Sequence, residues 1–384
     1  MFMLTNVMRT THLLTIAAVA AVASLTACGG SGSSTGAPAG SISMNSASCG
    51  GTWSLAKPGW HTFELYNANT VGGEVDLIDP KTSGVYAEVA QFGPGTTAPM
   101  SLNVGSGRYA FRCLFEDSDP MTGPTITVTG DVKGATATVP VTYNELVAPA
   151  KQYQNYVAAG LKTLAAQTQS LDSDIRRGDL SAARRDWLTA HLTYETLGAA
   201  YDAFGDFDDK IDGRADALGV TSPKWTGFYR LEYGLWHGQS AAGLKPYADG
   251  LAANVRALLA QWPSDEIPLI DIGLRTHEIL ENALQFQLSG HDDYGSGSTI
   301  ATTLANITGT RELLSVLHPL LAPRYPGLPS VYTDLNQLQS LLQAARGTPV
   351  LSLSQSARQA IDAACGQALE DLAPIASIAE PRNT

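Results

Sequence analysis

Residues 139–164 read VPVTYNELVAPAKQYQNYVAAGLKTL, and the chain changes character within them. Tyr153, Tyr156, Val157, Leu161 and Leu164 recur at spacings of three and four, the period of a helix with one apolar face. Upstream, from about Ser46 to Val141, the texture is that of strands. His61-Thr62-Phe63-Glu64-Leu65-Tyr66, Arg108-Tyr109-Ala110-Phe111-Arg112-Cys113 and Thr125-Ile126-Thr127-Val128-Thr129 alternate at period two. Lys57-Pro58-Gly59, Gly93-Pro94-Gly95 and Val104-Gly105-Ser106-Gly107 separate them as turns, which predicts a small β-sandwich. Downstream the chain is rich in Ala, Leu and Gln. A helix is expected over Ser181 to Phe204 with Ser181 as N-cap, and others near 222–237, 245–262, 267–289, 298–322, 328–346 and 354–375. Breaks carry Pro or Gly, and short connections imply antiparallel neighbours. The expected fold class is multidomain, all-β over 46–141 and then an all-α antiparallel helix bundle over 142–384.

The chain has 384 residues and a formal net charge of −12. That charge argues against nucleic acid as a partner, because phosphate binding needs clustered Lys and Arg. Arg9 and His12 precede an apolar run from Leu13 to Leu25, too short to span a bilayer as a helix. A charged start, a short apolar core and small residues afterwards read as an export signal. It ends in Leu25-Thr26-Ala27-Cys28, which resembles a bacterial lipobox. Residues 1–28 are thus expected to be a lipoprotein signal peptide with Cys28 lipidated. Residues 29–45, rich in Gly, Ser and Ala, are expected to be a flexible tether. Export implies an oxidising compartment, in which Cys49 and Cys113 could bridge. Cys365 falls in an apolar helical pattern and reads as a buried small residue.

Three helical stretches each place a carboxylate among apolar residues: Glu195, Glu232 and Glu281. Carboxylates on facing helices are how bundles build metal sites, so the three could converge. Gly205-Asp206-Phe207-Asp208-Asp209-Lys210-Ile211-Asp212 reads as an Asp-rich loop able to supply oxygens to a hard cation. Tyr229 and Glu232 lie three apart and share a helix face, as do His277 and Glu281 four apart. The plain alternative is an ion pair for Glu232 with Arg230 or Arg275. His277-Glu278 lacks the second His of the zinc-protease helix signature, and no Gly-x-Ser-x-Gly elbow is present, which argues against a peptidase.

Four segments carry a resemblance to a known family: TYETLGAAYDAFGDFDDKIDGR (193–214), KWTGFYRLEYGLWHG (224–238), KPYADGLAANV (245–255) and HEILENALQFQLSGHDDYGS (277–296). Over about 142–346 the chain resembles the EfeO/imelysin-like family, extracytoplasmic components of bacterial iron-uptake systems. The resemblance implies a metal site at Glu195, an Asp within 206–212 (Asp208 by preference), Tyr229, Glu232 and Glu281. The cargo would be iron or another divalent cation. The family pattern has His where this chain has Tyr229. A neutral phenol is a poorer ligand than imidazole, so His191 or His237 could serve instead. Implied partners are a membrane iron permease and a haem-type peroxidase, and the implied location is the periplasm or cell envelope. Residues 46–141 have the place and texture of the family's cupredoxin-like domain, with Cys49 and Cys113 as its two cysteines. A blue-copper centre needs two His, a Cys and usually a Met, and this segment offers only His61. A Cys49–Cys113 disulfide is therefore the expected reading. An alternative function is non-catalytic surface binding of polysaccharide or protein with a degenerate metal site.

Overall fold

The computed structural model describes residues 37–116, 118–216 and 218–381. Cys28, with the rest of the expected export signal, lies outside the described residues.

The N-terminal part forms two sheets. The first has the order β2 (Ser48–Cys49), β1 (Ile42–Asn45), β3 (Gly59–Asn67), β6 (Thr97–Val104). The second has the order β5 (Val85–Phe92), β4 (Gly73–Ile78), β7 (Gly107–Phe115), β8 (Met121–Thr122), and β9 (Ile126–Val128) also pairs with β7. Residues 42–45, expected to belong to the tether, instead form β1, which pairs parallel to β3 with Ile42 opposite Leu65. The pairing buries Met44 completely, and that apolar residue is what draws the segment into the sheet.

Alternation decides which side chains the sheets enclose. Phe63 and Leu65 from β3, Met100 and Leu102 from β6, Val75 and Leu77 from β4, and Tyr109, Phe111, Cys113 and Phe115 from β7 share one core. Cys49 and Cys113 form a disulfide that joins the two sheets, with Cα atoms 5.8 Å apart. The Cys113 sulfur is therefore not available as a copper ligand.

The C-terminal part is a bundle of ten helices among the described residues: α1 (Tyr143–Arg177), α2 (Leu180–Glu195), α3 (Tyr201–Phe204), α4 (Asp206–Asp212), α5 (Phe228–Trp236), α6 (Ala241–Gln261), α7 (Arg275–Asn282), α8 (Thr299–Leu321), α9 (Leu328–Ala344) and α10 (Gln355–Ile378). Thr142 starts α1 with a capping box: its hydroxyl accepts from the Glu145 amide and the Glu145 carboxylate accepts from the Thr142 amide. Gly178 ends α1 in the left-handed conformation at φ 78°. The stripe of Tyr153, Val157, Leu161 and Leu164 is fully buried, and α1 packs along α2 and α6.

Two expectations change. The helix expected over Ser181–Phe204 begins at Leu180, capped by Asp179, whose carboxylate accepts from the Ala182 amide. It stops at Glu195, and a 3-10 turn over Gly198–Ala200 leads into the short α3. The Asp-rich stretch expected as a loop is helix α4. Gly205, at φ 55°, sets its start, and Asp206, Asp208 and Asp209 occupy its first turn, where the positive end of the helix dipole favours them. Together these changes bring Glu195 and Asp212 each to the last residue of a helix.

Candidate metal centre

His191 lies one turn before Glu195 on α2, so the two side chains project together. Asp212 approaches from the end of α4. The His191 Nε2 atom is 3.0 Å from Glu195 Oε1 and 3.2 Å from Asp212 Oδ1. Both carboxylates crowd the one ring nitrogen, at ion-pair distances for a protonated imidazole. One donor atom from each residue falls within 4.8 Å of the other two. Two ligands each about 2.1 Å from one ion, and about 90–109° apart, are separated by about 3.0–3.4 Å. The observed separations match that geometry.

The surroundings hold the trio rigidly. The imidazole stacks on Trp187 at 5.0 Å and meets Tyr229 edge-on at 5.2 Å. Trp187 is itself fixed by donating to the Phe228 carbonyl at 2.9 Å. Asn306 on α8 donates to Glu195 Oε2 at 2.7 Å, which leaves Oε1 facing the imidazole. Partners of this kind orient ligands and tune their affinity. Since Glu195 and Asp212 close their helices, the carbonyl ends of α2 and α4 both favour positive charge here.

The electrostatics point the same way. Burial pushes Asp212 up to about 8 although His191 pulls it back. Burial opposes a charged imidazole at His191, yet Asp212 and Glu195 outweigh it and hold the ring well above its ordinary value. The protein thus holds buried anionic groups whose only cation at the centre is a proton, the situation a metal ion would relieve. Glu195 and Asp212 open onto a cavity of about 480 Å³ that is also lined by Asp208, Tyr229, Arg214, Gln287 and Asn306.

The expected site residues distribute unevenly. Glu195 belongs to the trio. Asp208 lines the cavity; its carboxylate accepts from the Tyr194 hydroxyl at 2.5 Å, and burial raises it to about 6. Tyr229 is buried in the cavity wall, with its hydroxyl donating to Asp292 Oδ2 at 3.2 Å. Burial, followed by Asp212, Glu195, Asp292 and Glu232, pushes that phenol well above its ordinary value. Glu232 is buried outside the trio. Its Oε1 accepts from the Ser296 amide at 2.9 Å and its Oε2 has no partner. The ion pair considered for Glu232 does not form: Arg230 donates to Gln239, and Arg275 pairs with Asp202 and Glu278.

Glu281 requires a correction. Its side chain is 62% exposed at the rim of the cavity, 3.9 Å from His277, so the three glutamates do not converge in the core. It lies on the outer turn of α7, whose buried face is formed by Thr276, Ile279 and Leu280. His237 is exposed and stacks on Tyr233 away from the trio.

His191, named only as a substitute ligand, and Asp212, within the span but not the preferred member, turn out to be the partners of Glu195. The i, i+4 spacing of His191 with Glu195 was the available signal. Asp292 gave none, because its burial depends on the π-helical turn over Ala283–Gln287 and the loop after it. A second acidic group, Glu74, Asp76 and Glu88, sits in the second sheet, where Arg112 takes up Asp76 at 2.7 Å.

The family model Peptidase M75, described as Imelysin, matches residues 149–376, more than half of the chain. The chain belongs to the imelysin family. The iron uptake system component EfeO of Yersinia pestis is 27% identical over 308 residues, covering 79% of this chain and 80% of that protein. The iron uptake system component EfeM of Pseudomonas syringae pv. syringae is 28% identical over 185 residues, covering 48% of this chain and 64% of that protein. An EfeO of Escherichia coli O1:K1 is 26% identical over 248 residues, covering 64% of each. The matched span contains α2, α4, α5 and α8, and with them every residue of the trio and its supports.

Proposed function

We propose that this imelysin-family protein captures iron at His191, Glu195 and Asp212 and passes it to a membrane uptake system. The single observation that carries the reading is that one donor atom each from His191, Glu195 and Asp212 lies within 4.8 Å of the other two, with Nε2 3.0 and 3.2 Å from the two carboxylate oxygens. The names of its EfeO and EfeM relatives support iron as the cargo. One imidazole and two carboxylates suit a first-row divalent ion, and the open cavity leaves room for water or further oxygens to complete its coordination. No bond of a substrate needs to break. Asp208 and the exposed Asp202, Asp209 and Glu281 around the mouth raise the local concentration of cations and deliver them inward. Lipid attachment through Cys28, on the cell-envelope side of the membrane, would keep the site near its permease; that part of the reading rests on the sequence of residues 1–28.

The test is calorimetric titration of metal-stripped protein with anaerobic Fe²⁺, alongside Glu195→Gln and Glu281→Gln. One saturable site is expected, weakened at least about tenfold by Glu195→Gln and unaltered by Glu281→Gln. Binding that survives Glu195→Gln and Asp212→Asn together would place the site elsewhere.

A further inference from the structure

Two arginines line the metal cavity, and they are engaged differently. Arg275 pairs with Asp202 and Glu278. Arg214, two residues after Asp212, lies over the Phe286 ring, 3.7 Å from its centroid. Its ion-pair partners are Asp216 Oδ2 at 3.4 Å and Asp292 Oδ2 at 3.9 Å. Both separations exceed the roughly 2.7–2.9 Å of a charge-assisted hydrogen bond. Both carboxylates also have closer partners. His291 Nε2 is 2.8 Å from Asp216 Oδ1, and the Tyr229 hydroxyl and Gln287 Nε2 donate to Asp292 Oδ2 at 3.2 and 3.1 Å. The Arg214 guanidinium is thus steadied by an aromatic face, while its side chain stays 36% exposed on the cavity wall.

A guanidinium in the wall of a cation site repels the cation, and the more so where water is scarce. An anion between the two charges turns that repulsion into attraction. The cavity has room for one. An ion with six waters fills roughly 180 Å³ at about 30 Å³ per water, and the cavity measures about 480 Å³. The planar fork of an arginine matches a planar O–C–O group, and stacking on a ring fixes the plane of the fork. The amides of Asn282 and Gln285, exposed on the same wall, add further N–H donors.

We propose that the cavity binds its metal ion together with a small oxyanion, carbonate or the carboxylate of an organic acid, held by Arg214. The inference rests on the metal reading of the same cavity and adds a second component to its cargo. The cation binds first or arrives with the anion, because Glu195, Asp208 and Asp212 on the wall repel an anion alone. Once the ion is in place, cation and anion share one cavity, and each raises the affinity of the other by the same factor.

The test is calorimetric titration of metal-stripped protein with anaerobic Fe²⁺ in carbonate-free chloride buffer, repeated with millimolar bicarbonate or acetate at constant ionic strength. Wild-type affinity is expected to rise at least about tenfold with the fitting anion. A rise with bicarbonate alone assigns carbonate, and a rise with acetate assigns an organic carboxylate. Arg214→Gln should bind Fe²⁺ in carbonate-free buffer at least as tightly as wild type, since a repelling charge is gone, and should gain nothing from either anion. Wild-type affinity indifferent to both anions, or an equal rise in Arg214→Gln, would overturn the assignment. So would Arg214→Gln that binds more weakly than wild type in carbonate-free buffer, which would make Arg214 a structural support. Failure of the metal reading looks different, because wild type would then bind no Fe²⁺ in any of the buffers.

Discussion

Glu232→Gln should stabilise the metal-free protein, and by an amount that depends on pH. Glu232 is 1% exposed, accepts one backbone hydrogen bond and has no cationic partner within hydrogen-bond reach. Burial pushes its carboxyl from an ordinary value of 4.5 to about 7. Because the folded value is the higher one, the folded protein holds this proton more tightly than the unfolded chain does. The favourable contribution is complete below about 4.5 and is lost as the pH rises through about 7. With about 1.4 kcal/mol per pH unit between the two values, the ionised carboxylate costs about 3 kcal/mol at pH 8 and under about 1 kcal/mol at pH 5. Gln keeps the acceptor for Ser296 and exchanges one unpartnered terminal atom for another. For a bundle of this size, about 3 kcal/mol corresponds to roughly 6–12 °C in Tm. Thermal denaturation of chelated wild type and Glu232→Gln at pH 5 and pH 8 reads the difference directly. A variant that is less stable than wild type at both pH values would refute the reasoning, because it would mean that the carboxylate is a satisfied structural group. With saturating iron the ordering at pH 8 should narrow or reverse, since a bound cation stabilises a nearby carboxylate that Gln lacks.

Two further outcomes follow from the same structure. In the metal-free state burial raises Asp212 to about 8, so at neutral pH a proton occupies a group from which a metal ion must displace it. Iron affinity should therefore climb between pH 6 and pH 8, by up to about tenfold per pH unit for each proton released, and a flat profile in calorimetry across that range would contradict it. The Cys49–Cys113 disulfide closes a separation of 64 residues between the two sheets, and its loss should cost the β-domain about 4 kcal/mol. Metal affinity in the bundle should be unchanged, which denaturation and titration of Cys49→Ala/Cys113→Ala would check.

How much of this was legible beforehand varies with the range of the interactions. The β-to-α switch near Thr142 was written in local periodicity, because period two and period three-to-four are properties of single strands and helices. The pairing of His191 with Glu195 was legible for the same reason, since both sit on one turn of one helix. The extent of α2 was not. The apolar pattern runs on to Phe204, yet the chain breaks after Glu195, and the Thr196 carbonyl lies where α8 passes so close that a Cβ at Gly309 would come within 2.5 Å of it. The Asp run looked like a solvated loop because only tertiary contact reveals that Ile211 is fully buried and anchors α4 to the core.

The sequence by itself determined the two-domain order, the helical class of the larger part and the residue types able to hold a cation. Each depends on side-chain chemistry and spacing along a few turns of backbone. Only the tertiary structure decided which carboxylates meet. Glu281 and Glu195 have equally apolar neighbours in sequence, but one faces solvent from the outer turn of α7 and the other ends α2 against Asn306. Asp212 and Asp208 lie one turn apart on the same helix, and the approach of α4 to the end of α2 brings Asp212 rather than Asp208 within 3.2 Å of His191. A metal centre requires atoms placed to a few tenths of an ångström across separate elements, and that placement comes from packing, which no local pattern records.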